Sequence, residues 1–168
     1  MPRRVPQTDF SAALHVLTKA DIDFIVIGAL AGIAHGLGRA TYNVDVVYSR
    51  TPENMRKIVQ ALAPLRPYLR GAPPGLPFSF DERAIRDGLN YTLLTSIGGI
   101  DLLGEVAGGG THENLRPFAD RVSAFGSEFL ALGLDKLIEL KRAAGRPKDY
   151  EMIAQLEALR QERERDSG

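Results

Sequence analysis

Phe10, Leu14 and Leu17 recur at helical spacing in TDFSAALHVLTKA, and Thr8 or Asp9 can cap the run, so residues 8–20 predict an amphipathic helix. DFIVIG, residues 23–28, is β-branched and aromatic, which predicts a buried strand. A short helix, LAGIAHGL, is expected over about 29–37. NVDVVY, residues 43–48, alternates polar and apolar as a strand with one wet face does. Thr51, Pro52 and Glu53 then open a helix that runs to about Ala63.

Proline and glycine dominate residues 64–78, which read as a loop. Two short strands follow, YTLLTS at 91–96 and IDLLGE at 100–105, with the glycines between them as the turn. VAGGGTHEN reads as a flexible loop. DRVSAFGSEFLA, residues 120–131, reads as a hairpin turning at Gly126-Ser127. LDKLIELKRAA is a helix ended by Gly145, and a last helix starts at Pro147 and reaches the 160s, where RQERERDSG is expected to fray. The mixture predicts an α+β fold on one mixed β-sheet flanked by helices, with C-terminal helices. We expect one domain over 1–168, with a core of about 8–131 and a helical part of about 132–164.

Composition narrows the class. Of 168 residues, 44% are hydrophobic and 25% charged, as in a soluble globular chain. The formal net charge is zero, so no whole-protein field attracts nucleic acid, although a local basic patch is compatible with it. Cysteine is absent, which excludes disulfides, a thiol nucleophile and thiolate metal sites and fits a reducing compartment. No apolar run follows the basic start MPRRVPQTDF, so no secretory signal is expected. The longest apolar stretch, residues 25–34, is too short to cross a bilayer. A cytoplasmic protein without membrane association is expected.

Three segments carry candidate chemistry. Gly28 ends a strand and opens a helix, where unpaired N–H groups suit a phosphate; a plain turn is the alternative. Asn43 and Asp45 are two apart on a strand and so share a face. Asp101 sits between apolar Ile100 and Leu102, a place where a lone buried acid is costly. Each acid could instead face solvent on an edge strand. Lys141, Arg142, Arg146 and Lys148 crowd a helix end, either capping it or reaching a ligand's phosphates. His15, His35 and His112 are too scattered to form a metal cluster; His35 reads as a packing residue and His112 as part of a surface loop. There is no Ser/His/Asp triad by spacing and no GxxxxGK[ST] loop.

IVIGALAGIAHGLGRATYNVDVVYSR, then GIDLLGE, then LGLDKLIELKRAAGRPKDYE, resembles bacterial nucleotidyltransferase-fold proteins of the abortive-infection toxin and minimal nucleotidyltransferase type. The resemblance spans residues 23–151. It implies that Gly28 and Ala29 stand at a glycine-glycine or glycine-serine pair beside the phosphates, and that Arg39 and Thr41 match the pair before the acids. It implies that Asn43 stands where the first acid of Asp-x-Asp belongs, Asp45 at the second and Asp101 at the third. Lys141, Arg146 and Asp149 match the C-terminal motif.

The resemblance further implies a Mg2+-dependent (or Mn2+-dependent) enzyme that moves a nucleoside monophosphate from a nucleoside triphosphate to a tRNA or protein acceptor. Asp45, Asp101 and Lys141 would be catalytic, with Asn43 a weak third metal ligand. Gly28, Ala29, Arg39, Thr41 and Arg146 would bind the nucleotide. A toxin role with an antitoxin partner belongs to the same expectation. Asn43 can offer a carbonyl oxygen but neither charge nor a base. The alternative is therefore a degenerate nucleotidyltransferase fold that binds a nucleotide or a partner without chemistry. A small-molecule antibiotic-modifying transferase would share the site and differ in its acceptor pocket.

Overall fold

The computed structural model describes residues 7–167. The basic start of the chain, residues 1–6, on which part of the leader expectation rests, lies outside the described residues. Helix α1 (Phe10–Lys19) is capped by Asp9, whose carboxylate accepts from Ala12 N at 3.0 Å. Strand β1 (Phe24–Val26) is fully buried and leads directly into α2 (Gly28–Ala34). Strand β2 (Asn43–Tyr48) follows, then α3 (Pro52–Leu62), capped by Thr51 with Pro52 in the first turn. The short β3 (Tyr68–Leu69), α4 (Glu82–Asp87), β4 (Asn90–Thr95) and β5 (Gly98–Leu103) come next. A small pair, β6 (Glu105–Val106) and β7 (Gly110–Thr111), precedes the one-turn α5 (His112–Leu115). Strands β8 (Ala119–Ala124) and β9 (Ser127–Leu132) form a hairpin, and α6 (Leu134–Ala144) and α7 (Tyr150–Asp166) complete the described chain.

Seven strands make one mixed sheet in the order β3-β4-β5-β2-β1-β9-β8. The pairs β2–β5 and β1–β9 are parallel, and the others are antiparallel. The α+β class with a mixed sheet, flanking helices and C-terminal helices is as expected. At the centre, alternation separates two faces. Val44, Val46, Ile100 and Leu102 are buried in the core on one face, while Asn43, Asp45 and Asp101 stand half-buried on the other. The hydrophobic face fixes the register, and the register fixes which polar groups meet.

Several local expectations are corrected. Residues 64–78 are not all loop, because β3 pairs there with β4. Gly98 and Gly99 belong to β5, and the turn lies at Ser96-Ile97. The hairpin turns at Phe125-Gly126, both at positive φ (54° and 78°), which matches the twist of the flanking strands. Helix α2 stops at Ala34, short of the expected 37. VAGGGTHEN is ordered by the β6–β7 pair and by the Thr111–Asn114 capping box. His112 is buried rather than exposed on a loop. The charged end of the chain stays helical to Asp166 because it is anchored. Arg160 bonds Asp135 at 3.1 Å, and Arg163 bonds His35 through both the ring Nδ1 and the carbonyl. That second contact, with His35 Nε2 at 3.0 Å from the Leu132 carbonyl, gives His35 a packing role. Burial also lowers its pKa, which keeps the ring neutral.

One buried amide locks the frame behind the central strands. Asn54 on α3 accepts from Asp23 N at 2.7 Å and donates to Asp23 O at 3.0 Å and Ser49 O at 2.7 Å. It thereby ties the start of β1 to the end of β2. Asn54→Ala leaves these backbone groups without their partner. We expect a loss of roughly 2–4 kcal/mol, read as a lower urea midpoint with an unchanged slope.

Candidate functional site

The half-buried polar face of the sheet gathers the acids. Strands β2 and β5 run parallel with Asp45 opposite Asp101 and Asn43 opposite Gly99. Neighbouring strands lie about 4.8 Å apart, so both carboxylates project side by side from one face. Asp45 Oδ1 and Asp101 Oδ1 are buried without a hydrogen-bond partner. Burial first, and then the neighbouring Asp101 carboxylate, push the Asp45 carboxyl up to about 7, against the opposing charges of Lys141 and Arg70. Two anions this close need a proton or a cation between them.

Glycine makes the approach feasible. Gly28 has φ +66°, and a side chain there would come within 2.7 Å of Asp45 Oδ2. The chain turns into α2 directly against the carboxylate, and Ile27 N donates to Asp45 O at 2.9 Å. Gly99 serves in the same way on the other side. A side chain there would collide with Asn43 Oδ1 and come within 2.8 Å of Arg70 Nη1.

A cleft of about 430 Å3 opens from Asp45 toward α6. Ile27, Gly28 and Asp45 form one wall, and Leu137, Leu140, Lys141 and Ala144 the other, with Arg146 at the edge. Lys141 Nζ lies 3.4 Å from Asp149 Oδ1, and Arg146 Nε donates to Asp149 Oδ2 at 2.8 Å. Burial opposes ionisation of Asp149, but the Arg146 hydrogen bond and the Lys141 charge outweigh it and hold the carboxyl below its usual value. The buried Asp149 thus orients both cations. Gly145, left-handed at φ 62°, ends α6 and turns the chain so that Asp149 comes back beneath Lys141.

The structure therefore brings Gly28, Asp45, Lys141 and Arg146 to one cleft and sets Asp101 and Asn43 beside Asp45 on the sheet. Ala29 sits half-buried in the first turn of α2. Arg39 is turned to α7, where Nη1 donates to Gln155 Oε1 at 3.2 Å, and neither it nor Thr41 lines the cleft. One residue escaped the sequence reading. Arg70, just after β3, places Nη2 at 2.7 Å from Asp101 Oδ1, off the hydrogen-bond direction, so the contact is one of charge. It lay in a proline- and glycine-rich run with nothing to connect it to Asp101; strand pairing was the missing signal.

The donor set fits one divalent cation. An Asp45 oxygen without a partner, an Asp101 oxygen met only by the Arg70 charge and an amide oxygen on one face are hard oxygen ligands. Among the described residues no group of three or more His, Cys, Asp or Glu converges, so the donors here are the two carboxylates and the Asn43 amide.

No family model and no curated protein matches the chain. Among solved structures it is similar to TM1012 from Thermotoga maritima, described as a "putative nucleotidyltransferase". The TM-score is 0.53 and the identity 14%, over 92% of this chain and 97% of the other. This likeness gives the chain a nucleotidyltransferase-like fold. No helix among the described residues is long and apolar enough to cross a membrane.

Without divalent ions, folded Asp45 holds its proton more tightly than the unfolded chain does. Its contribution to stability is full below a pH of about 4 and declines as pH rises toward 7. Asp45→Asn removes that decline. In chelator, the variant should match the wild type near pH 4 and melt roughly 10 °C higher at pH 8. Equal melting temperatures at both pH values would contradict the carboxylate juxtaposition.

Proposed function

We propose that this protein is a metal-dependent nucleotidyltransferase that moves a nucleoside monophosphate from a nucleoside triphosphate to a hydroxyl of an RNA or protein acceptor. The observation that carries this reading is the Asp45–Asp101 pair, in register on adjacent parallel strands with a buried unsatisfied oxygen on each, beside a cleft edged by Lys141 and Arg146. In this reading Asp45 and Asp101 hold Mg2+ or Mn2+, and Asn43 adds a neutral oxygen. Such an ion, when bound, supplies positive charge to the phosphoryl oxygens.

The chain's own groups take the remaining roles. An acceptor oxygen bonds to the α-phosphorus, the bond from that phosphorus to the bridging oxygen breaks, and pyrophosphate leaves. The hydroxyl proton passes to a carboxylate of the pair, since Asn43 cannot accept it. Lys141 and Arg146, held in place by Asp149, neutralise charge on the phosphates. Leu137, Leu140 and Ala144 offer the base an apolar wall and exclude water. Gly28 keeps the backbone free of a side chain where the phosphates come nearest Asp45. A toxin role with an antitoxin, in the cytoplasm, extends this proposal.

A second reading has its own support. Asn43 removes one charge from the pattern, and Arg70 already sits on Asp101. Both favour a fold that binds a nucleotide or a partner without transferring anything.

Label transfer from α-labelled nucleotides to total tRNA or cell protein, with Mg2+ or Mn2+, separates the two. The enzyme reading predicts transfer by the wild type that falls by about a thousandfold or more in Asp45→Ala. Transfer by Asn43→Asp alone would assign the natural protein to the binding class.

A further inference from the structure

Asp101 is already in contact with a cation that belongs to the chain. Arg70 N donates to Thr92 O at 2.9 Å; Thr92 pairs with Asp101, and Asp101 with Asp45. Arg70, immediately after β3, therefore continues the row that Thr92, Asp101 and Asp45 form across β4, β5 and β2, on one face of the sheet. The Arg70 side chain reaches Asp101 and sets Nη2 at 2.7 Å from its Oδ1.

Its other terminal nitrogen, Nη1, is buried and has no hydrogen-bond partner. It lies over Gly99 in the space that the missing side chain leaves, on the same side as Asn43 Oδ1. A guanidinium held by one charge contact, with a buried donor unpaired, is not in a fully satisfied position. The amide at 43 brings no charge that would bind it more firmly.

We infer that Arg70 is the resident counter-cation of the carboxylate pair, and that a divalent ion takes the site only by displacing the guanidinium from Asp101. This rests on the reading that the pair binds a divalent ion, though not on any transfer activity. The oxygen that Arg70 covers is one of the two unsatisfied carboxylate oxygens on this face. A monovalent and a divalent cation cannot share it without strong repulsion in a half-buried place. Arg70 thus lowers metal affinity and keeps the metal-free site neutralised at Asp101, so the site responds to divalent-ion concentration.

Binding of Mn2+ alone, followed by the electron paramagnetic resonance of free ion, tests this without a substrate. Arg70→Gln should bind Mn2+ about tenfold or more tightly than the wild type. Arg70→Lys, which keeps the charge, should stay within about threefold of the wild type. Adding Asp101→Asn to Arg70→Gln should abolish the gain. Equal or weaker binding by Arg70→Gln, or no binding by either protein, would overturn the inference.

Should Arg70→Gln fail to fold, the wild type still decides. The Arg70 Nε–H resonance, identified by its loss in Arg70→Lys, should shift in step with Mg2+ saturation. A resonance that stays put while Mg2+ binds overturns the inference. Tighter Mn2+ binding by Arg70→Gln without label transfer by any form would leave this inference standing while removing the enzyme reading.

Discussion

Two carboxylates at the same register of neighbouring parallel strands cannot both be ionised at neutral pH unless positive charge comes between them or close by. This constraint on Asp45 and Asp101 organises the rest of the site. The hydrophobic core creates it. Val44, Val46, Ile100 and Leu102 must face inward, so Asp45 and Asp101 must face outward together. Folding stabilised by the apolar face therefore presses two like charges into proximity on the polar face, where they repel.

The surroundings read as responses to that repulsion. Lys141 on α6 faces Asp45 across the cleft, and Asp149 holds the lysine in position. Arg70 approaches Asp101 from the sheet edge. Gly28 and Gly99 carry no side chain where one would strike a carboxylate or its neighbours. The neutralisation is still incomplete at Asp45, whose buried Oδ1 has no hydrogen-bond partner. An unmet demand of this kind in a stable fold points to a ligand, and a divalent cation is the chemistry we propose for it.

What could be read along the chain was what neighbouring residues determine. LDKLIELKRAA followed by Gly145 specifies a helix and its end within one stretch, and the observed α6 coincides with it. NVDVVY carried its two faces in its own alternation, and β2 has those bounds. Gly98 and Gly99 were read as a turn because glycine usually breaks strands; here they clear space for Thr8, Asn43 and Arg70, none of which is nearby in sequence. Arg70 was invisible for the same reason. Its meaning comes from the pairing of β3 with β4 and of β4 with β5, which no local pattern reveals. The likeness of three segments in order, IVIGALAGIAHGLGRATYNVDVVYSR, GIDLLGE and LGLDKLIELKRAAGRPKDYE, to nucleotidyltransferase-fold proteins pointed to the observed fold before any geometry was known. It could not show that Arg39 turns away to Gln155.

The most direct test of the account is anomalous scattering from crystals soaked in saturating Mn2+. The account predicts one peak on the polar face of the sheet, about 2.2 Å from an oxygen of Asp45 and from one of Asp101, with Arg70 turned off Asp101. No peak there, with Arg70 still against Asp101, would contradict it: the pair would then be a neutralised structural contact rather than a cation site.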